Sequence, residues 1–502
     1  MRVGQPRFAL AWTRIAVVCA IALIAGSASL FATRDAVTAG PDSAVYVGTA
    51  HSVASGNGLN VPIHYYPLGN VSIGTPPPGR AAPRPTPLVI YSPGAPVLLS
   101  IGGEPVNAAR VEDALFFALT VLVVGLFVLA ETRELWLAAA AQVVVGGALV
   151  VPLADVGTNA VSLFLTALAL ASVITFIRRP RPQWLLLGAV AVGLATLERY
   201  ADGGLIVWGT LALLAMHKRR RDAAAFLALS AAPLVAWFIY EHASGRGSGH
   251  ALGFHIVGGS FRAGARAIAD WVLPPSVPTA LALVAAIAVV VAVFEVVRRR
   301  PQSTSLLLLL FVVVQIVVLE VAITFVDALV NLDSRELLPG FVAVVMALAC
   351  AVSRTSAMRL VIGLAVVASV ARGGVEIARN MPGDYRESRW THSAVMAAVR
   401  ALPPSTIIYS NAPDAIYLLD GRAVSSIPER KDFSTLKRNR RYDAQLAEIR
   451  TVLAARGGVV VFVRGLKRSY LPSEQMLVSE LSLQRIGETR DGAIYRTSAR
   501  GA

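Results

Sequence analysis

Asp42 lies in a polar stretch that separates one apolar segment from a long series of others. A carboxylate in such a position can act as a general base or can orient a metal ion or a substrate. The same residue can also cap a helix, because an aspartate just before a helix satisfies free amide groups and the sequence Pro41-Asp42-Ser43 precedes a helical pattern. The two roles are compatible if that helix begins at a cavity. His51 belongs to the same stretch.

A second set of polar and ionisable residues falls at the ends of apolar segments, where an unpaired charge is costly. The set comprises Asp155, Asn159, Glu198, Arg199, Tyr200, Asp202, Glu320, Asp327, Asp333, Arg335 and Glu336. Such residues either form ion pairs between helices or share a water-filled cavity. An arginine in a cavity suits a phosphate or pyrophosphate, because its guanidinium donates two parallel hydrogen bonds.

The composition indicates a membrane protein. Of 502 residues, 55% are hydrophobic and only 15% are charged, whereas a soluble chain must wet a large surface. The formal net charge is +15, but the basic residues form short clusters between apolar segments, as in cytoplasmic membrane loops. Nucleic acid is therefore not an expected partner. The two cysteines lie in apolar segments and the histidines follow no metal motif, so we predict no metal site.

About eleven apolar segments are candidate transmembrane helices, and two of them, at 184–199 and 203–217, are short enough to tilt or to meet only part of the bilayer. We interpret the first, at 15–31, as an uncleaved anchor rather than a cleaved signal peptide. The others are at about 111–130, 134–153, 157–177, 184–199, 203–217, 223–241, 279–297, 304–326, 337–353 and 357–372.

The basic clusters predict the orientation of these segments. They are Arg2 with Arg7 and Arg14, 178–182, 217–222, 298–301, and Arg354 with Arg359. A cytoplasmic N-terminus and eleven spans place every cluster on the cytoplasmic side, as the positive-inside rule requires. The loop 35–110, the other titratable loops and the C-terminal part then lie outside. We therefore expect the chemistry at the extracytoplasmic face of a multi-pass protein of the cell membrane.

The chain after residue 378 has the composition of an ordinary globular domain. Apolar strands are predicted within 406–411, 459–465 and 490–497, and amphipathic helices within 388–402 and 441–458. We therefore expect residues 1–378 to form a mainly α membrane domain and residues 379–502 a small extracytoplasmic α/β domain. The Pro-rich run 75–87 is predicted to be extended and to form a mobile cover over the site. An interfacial helix is expected within 261–272.

Four motifs follow one another along the chain. They are PDSAVYVGTAHSVASGNGL at 41–59, YSPGAPVLLSIGG at 91–103, LATLERYADGG at 194–204 and DSRELLPGF at 333–341. Together they resemble the GT-C superfamily of integral-membrane glycosyltransferases, and most nearly the bacterial relatives of protein O-mannosyltransferases and aminoarabinose transferases, in glycosyltransferase family 39 or its neighbours. The resemblance covers nearly the whole chain. This sequence departs from the family pattern at Glu198, Asn159 and Glu336.

The resemblance implies an enzyme that moves a sugar from a polyprenyl-phosphate donor to a glycan, lipid or protein acceptor, among membrane lipids. It makes Asp42 the catalytic carboxylate and places Arg199, Tyr200 and Arg335 at the donor phosphate. The resemblance implies no particular cofactor and leaves a divalent cation as an open alternative. A polysaccharide polymerase or ligase would use similar chemistry. A transporter or flippase of lipid-linked saccharides is a further alternative, for which we would expect inverted repeats and broken helices near the bilayer midplane.

Overall fold

A computed structural model describes most of the chain. The described residues are 5–65, 86–88, 91–153, 155–217, 220–243, 253–254, 258–271, 278–299, 303–327, 330, 332–351, 356–379, 383–433, 435–466 and 468–497. Most of the predicted Pro-rich cover lies outside them. Its last two residues form a short strand, β2 (Thr86–Pro87), which pairs antiparallel with β1 (Asn60–Val61).

Fourteen helices occupy the described residues before position 380. They are α1 (Gln5–Ala32), α2 (Pro41–Ala54), α3 (Gly94–Ile101), α4 (Pro105–Thr132), α5 (Leu135–Leu149), α6 (Asn159–Arg178), α7 (Pro182–Glu198), α8 (Gly204–His217), α9 (Arg220–Ala243), α10 (Ser260–Ala269), α11 (Thr279–Arg299), α12 (Ser303–Phe325), α13 (Leu338–Ala351) and α14 (Ser356–Arg379). A short 3-10 helix, Tyr200–Gly203, joins α7 to α8.

Each of the eleven predicted spans coincides with one of these helices. Six of them, α1, α4, α6, α9, α12 and α14, are long and apolar enough to cross a membrane, while five further apolar helices are shorter. The chain is therefore a mainly helical polytopic membrane protein, and the full count of eleven crossings stays a prediction. A helix, α10, is present where an interfacial helix is expected, and its Phe261 is strongly exposed; its location at the membrane surface stays a prediction.

Small residues let several helices pack closely. A Cβ atom on Gly373 of α14 would lie 2.7 Å from the carbonyl oxygen of Gly147 in α5, so these two backbones nearly touch. In α4, Gly125 faces the amide group of Gln142 in α5, and that amide donates hydrogen bonds to the carbonyl oxygens of Val18 and Val121. A buried polar group must be paired in this way, because water is not available to it.

The segment before α2 is held by neighbouring loops. Its residues Thr38 and Ala39 form parallel bridges with Asp155 and Asp384, respectively. The N–H of Val156 donates to the carbonyl oxygen of Thr38 at 2.8 Å, and the N–H of Tyr385 donates to that of Ala39 at 2.9 Å. These contacts fix the beginning of α2 between two segments that are distant in sequence.

The described residues after position 387 form a small α/β unit. Its elements are α15 (Ser388–Thr391), α16 (Ala394–Arg400), β3 (Ile408–Ser410), α17 (Pro413–Asp420), β4 (Ser425–Ser426), α18 (Tyr442–Arg456), β5 (Val459–Val463), α19 (Glu474–Glu480), β6 (Leu483–Thr489) and β7 (Gly492–Thr497). The five strands form one sheet in the order β4-β3-β5-β7-β6, with β3 parallel to β4 and β5, and β7 antiparallel to β5 and β6. The predicted domain boundary at 378/379 stays a prediction.

The helix predicted over 388–402 is interrupted. Ser393 caps α16 by accepting a hydrogen bond from the N–H of Met396, so α15 and α16 are separate helices. Serine favours such a break because its hydroxyl competes with the helical backbone.

The α/β unit contacts the first loop directly. His64 extends the edge of the sheet, since its N–H donates to Val424 and its carbonyl oxygen accepts from Ser426. Tyr417 of α17 packs on α2, where a Cβ atom on Gly48 would lie 3.1 Å from the tyrosine ring. The C-terminal unit therefore helps to position α2.

Candidate active site

A polar cavity of about 210 Å³ lies at the beginning of α2. Several separate segments supply its lining, including the loop before α6, the turn after α7 and the loop before α13. From the predicted site residues it brings together Asp42, Asp155, Asn159, Arg199, Tyr200, Arg335 and Glu336. The tertiary fold thus forms one shared cavity from residues that the sequence could only suggest as a set.

Asp42 lies in the first turn of α2, two residues beyond the cap position. Gly40 is the N-cap residue, Pro41 occupies the first helical position, and the Ser43 hydroxyl accepts a hydrogen bond from the Gly40 N–H at 2.9 Å. The positive end of the helix stabilises a negative charge at Asp42. Because the Ser43 side chain makes the capping hydrogen bond, the Asp42 carboxylate is available to interact with groups in the cavity.

Two cavity groups hold the Asp42 carboxylate. The hydroxyl of Tyr91 donates to Oδ1 at 3.0 Å, and Nη1 of Arg335 lies 3.8 Å from Oδ2. The Asp42 side chain remains 48% exposed, so one face of it is accessible to a reactant. An oriented and accessible carboxylate has the properties of a general base.

The two arginines of the cavity differ in availability. Arg199 is only 12% exposed; it forms an ion pair with Glu336 at 2.5 Å and donates to Asn159 at 3.0 Å. Arg335 is 54% exposed, and its guanidinium contacts Asp333 at 3.4 Å and Asp42 at 3.8 Å. The Arg335 guanidinium is therefore the more accessible group for an anionic ligand, while Arg199 is engaged in holding the cavity wall.

Asp155 lies in the loop before α6 and accepts a hydrogen bond from the Asn159 side chain at 2.9 Å. Burial raises the pKa of Asp155 to about 7, although Arg335, Arg199 and Asn159 oppose this shift. A carboxyl group with such a pKa is protonated in part of the population near neutral pH. Asp155 can thus act as a hydrogen-bond donor in the cavity at mildly acidic pH.

The raised pKa of Asp155 predicts a pH-dependent stability. The pKa is about 7 in the folded protein and about 4 in an unfolded chain, so the folded state holds the proton more tightly. The resulting stabilisation is complete below about pH 4 and is lost as the pH rises through about 7. Between pH 5 and pH 8, the thermal unfolding midpoint of the purified protein should fall by roughly 5 °C more than that of Asp155→Asn. Equal decreases for the two proteins would contradict this prediction.

The other predicted site residues lie outside the cavity lining. The main chain of Glu198 accepts a hydrogen bond from Ser92 at 2.5 Å, and Asp202 accepts one from Ser162 at 2.6 Å. His51 contacts the Tyr417 hydroxyl at 3.3 Å, and Asp327 lies just beyond α12. Asp333 orders the loop before α13 by accepting from the N–H groups of Arg335 and Glu336.

The sequence did not single out two residues that line the cavity, Tyr91 and Asp384. Tyr91 opens the second of the four motifs, so its position in that motif was an available signal. Asp384 adopts a left-handed backbone conformation, with φ of 55°, which is uncommon outside glycine and often marks turns or functional sites. Its Gly-Asp sequence was a weak turn signal.

Within the described residues, no three His, Cys, Asp or Glu side chains are grouped so that they could hold a metal ion. The Arg335 guanidinium beside Asp42 would also repel a cation there. These residues therefore do not fit a divalent cation, and the groups available for chemistry in the cavity are protein side chains.

Comparisons with known proteins identify a shared fold. No family model and no curated protein sequence matches the chain. Among solved structures, the chain is similar to the archaeal oligosaccharyltransferase AglB from Archaeoglobus fulgidus, which was determined in complex with an inhibitory peptide and a dolichol-phosphate. The TM-score is 0.52 at 10% sequence identity, and the match covers 97% of this chain and 74% of that one. At this level of identity, the similarity shows that the two chains share a fold.

Proposed function

We propose that this protein is a membrane glycosyltransferase that moves a sugar from a polyprenyl-phosphate donor to an acceptor hydroxyl at the extracytoplasmic face. The main support is that one cavity contains an accessible carboxylate, Asp42, and an accessible guanidinium, Arg335, 3.8 Å apart. The structurally similar AglB was determined with a dolichol-phosphate, which is consistent with a lipid-phosphate ligand.

In the proposed reaction, the oxygen of the acceptor hydroxyl attacks the anomeric carbon of the donor sugar. Asp42 accepts the proton of that hydroxyl at the same time. A new glycosidic bond forms, and the bond between the anomeric carbon and the phosphate oxygen breaks. The electron pair stays on the phosphate, where Arg335 stabilises the negative charge. Tyr91 keeps the Asp42 carboxylate oriented through its hydrogen bond to Oδ1.

Arg199 and Tyr200 have positioning roles in this proposal. The ion pair between Arg199 and Glu336 joins the end of α7 to the loop that carries Arg335. The hydroxyl of Tyr200 donates to the carbonyl oxygen of Tyr91 at 3.3 Å and accepts from Trp237 at 2.7 Å. The Arg199–Glu336 ion pair therefore supports the loop of Arg335, and the Tyr200 hydrogen bond supports Tyr91. In this proposal Arg335 binds the donor phosphate.

Binding of undecaprenyl phosphate to the purified protein in nanodiscs tests this assignment. We expect Arg335→Gln to weaken binding by about 10- to 100-fold, because a hydrogen-bonded charge pair with phosphate contributes roughly 1.5–3 kcal/mol. Arg335→Lys should retain part of the affinity, since it keeps the charge but not the bidentate geometry.

Arg262→Gln is the matched control, because Arg262 is exposed on α10 and does not line the cavity. Wild-type affinity in the Arg335→Gln protein would refute the phosphate site. Transfer from a panel of undecaprenyl-phosphate sugars to glycan, lipid and peptide acceptors would then identify the substrates of the wild-type protein.

A further inference from the structure

Asp384 is a cavity residue that has no role in the proposed reaction. It lines the polar cavity together with Asp42 and Arg335. Partial burial raises the pKa of the Asp384 carboxyl group, and Arg335 and Asp42 are close enough to influence that pKa as well. In the part of the chain that the structure describes, no hydrogen bond engages the carboxylate oxygens of Asp384. The residue is exposed, so a ligand in the cavity can reach it.

The backbone places the Asp384 carboxylate against the beginning of α2. Asp384 has a φ of 55°, a left-handed conformation that is uncommon for a residue with a side chain. A Cβ atom on Gly40 would lie 2.7 Å from Oδ2 of Asp384, so glycine at this position permits the close approach of the carboxylate. Gly40 is the N-cap residue of α2, and Asp42 lies in the first turn of that helix. The two carboxylates therefore serve the same end of the cavity.

The next residue, Tyr385, anchors Asp384 to the C-terminal unit. The buried Tyr385 hydroxyl donates to Asp414 at 2.5 Å and accepts from Arg468 at 2.9 Å. The main-chain N–H of Tyr385 donates to the carbonyl oxygen of Ala39. The Asp384 carboxylate is thus held at the cavity before a ligand arrives, and such preorganisation lowers the ordering cost of binding.

A donor phosphate on Arg335 would leave mainly acidic groups for the acceptor. Arg199 is paired with Glu336, so it does not offer a second guanidinium to an anion. Asp42 and Asp384 remain, and an ionised carboxylate accepts hydrogen bonds but donates none. A neutral acceptor with several hydroxyl groups can donate one to each carboxylate, whereas an acceptor that carries a phosphate or a carboxylate would be repelled.

We propose that Asp384 binds the acceptor and selects a neutral sugar residue, by accepting a hydrogen bond from a hydroxyl adjacent to the one that reacts at Asp42. This inference rests on the proposed function, because it assumes sugar transfer in the polar cavity. The sugar can end a glycan or a glycolipid, since both present the same hydroxyl groups. Asp384 is assigned to the acceptor because it follows α14 and leads into the α/β unit, whereas a lipid donor enters from the bilayer.

Kinetics with a panel of neutral methyl glycosides as acceptors test the assignment, with an undecaprenyl-phosphate sugar that the wild type uses as the donor. Asp384→Gly suits the left-handed backbone. It should raise the KM for the glycoside about 10- to 100-fold, because it removes a hydrogen bond to a charged group. The KM for the lipid donor should stay nearly unchanged. Asp384→Asn keeps an acceptor oxygen, so its KM for the glycoside should lie between those of the wild type and Asp384→Gly.

The 6-phosphates of the same glycosides test the selection by charge. The wild type should prefer the neutral glycosides, and Asp384→Asn should reduce that preference by about threefold or more, because it removes a like charge. Glu387→Gln is the matched control. Glu387 lies in the same segment and pairs with Arg389 at 2.7 Å, outside the cavity lining. Its substitution should change neither KM by more than about twofold, because exposed ion pairs contribute little.

Three kinetic results would overturn the proposal. They are a rise in the KM for the donor rather than for the glycoside in Asp384→Gly, an equal rise in Glu387→Gln, and a preference of the wild type for a serine peptide or a phosphorylated lipid over every neutral glycoside. Asp384→Asn keeps the test decisive if Asp384→Gly does not fold.

Binding of the methyl glycosides to protein loaded with undecaprenyl phosphate, measured by saturation-transfer NMR, separates this proposal from the proposed function. If the wild type binds a glycoside and Asp384→Gly does not, while no undecaprenyl-phosphate sugar is turned over, the sugar site is supported and the proposed transfer fails. If the wild type binds none of the glycosides, the sugar site is refuted whatever the transfer result.

Discussion

Asp42→Asn should lower the rate of sugar transfer by roughly 10²- to 10⁴-fold, the usual contribution of a general base. The carboxamide has nearly the same shape and can still accept the hydrogen bond from Tyr91, but it cannot take up the acceptor proton. Single-turnover transfer from a radiolabelled undecaprenyl-phosphate sugar would measure the loss in the chemical step.

The same substitution should leave binding of undecaprenyl phosphate as tight as in the wild type, or somewhat tighter. Asp42 lies 3.8 Å from Arg335, so removal of its negative charge lowers repulsion toward an incoming phosphate. Unchanged or improved binding with lost transfer would separate a catalytic role from a loss of folding.

Asp35→Asn provides a matched control for Asp42→Asn. Asp35 lies in the same polar stretch, and its side chain is 64% exposed next to Arg34, outside the cavity lining. We expect its transfer rate to stay within about twofold of the wild type, because exposed ion pairs contribute little. Normal transfer by Asp42→Asn would rule out Asp42 as the base.

Arg199→Gln should destabilise the protein by about 3–5 kcal/mol, the usual cost of breaking a buried ion pair. The substitution leaves the Glu336 carboxylate, which is 13% exposed, without its cationic partner. A clear decrease in the thermal unfolding midpoint of the purified protein would measure this effect.

The double variant Arg199→Gln with Glu336→Gln distinguishes a positioning role from direct phosphate binding. We expect it to regain most of the lost stability and most of the affinity for undecaprenyl phosphate, because no unpaired charge remains buried. If stability returns but affinity stays as low as in Arg199→Gln, then Arg199 itself contacts the phosphate.

Local sequence was sufficient for the helices of the membrane part. The eleven predicted apolar segments coincide with helices because a long apolar segment must satisfy its backbone hydrogen bonds internally. The strands predicted around Ile408, Val461 and Ile494 are also present, since short runs of β-branched residues favour a buried strand. The two-residue strand β4 was not predicted, because its pairing with β3, rather than its own composition, defines it.

The motif around Asp42 predicted a candidate site, and the tertiary structure determined the relations between the residues of the cavity there. Residue type alone gives Arg199 and Arg335 the same capacity to bind phosphate. They differ because Arg199 is paired with Glu336, whereas Arg335 remains half-exposed. Similarly, only folding brings Tyr91 to the Asp42 carboxylate and Asp384 to the cavity.

The sequence by itself therefore determined the class of protein, the helical segments and the candidate residues, because hydropathy and local propensity act over a few turns of chain. The tertiary structure alone decided which guanidinium is accessible, which charges are paired and which loops enclose the cavity. Ion pairing and burial depend on distances of a few ångströms between residues that are far apart in the chain. No local pattern encodes those distances.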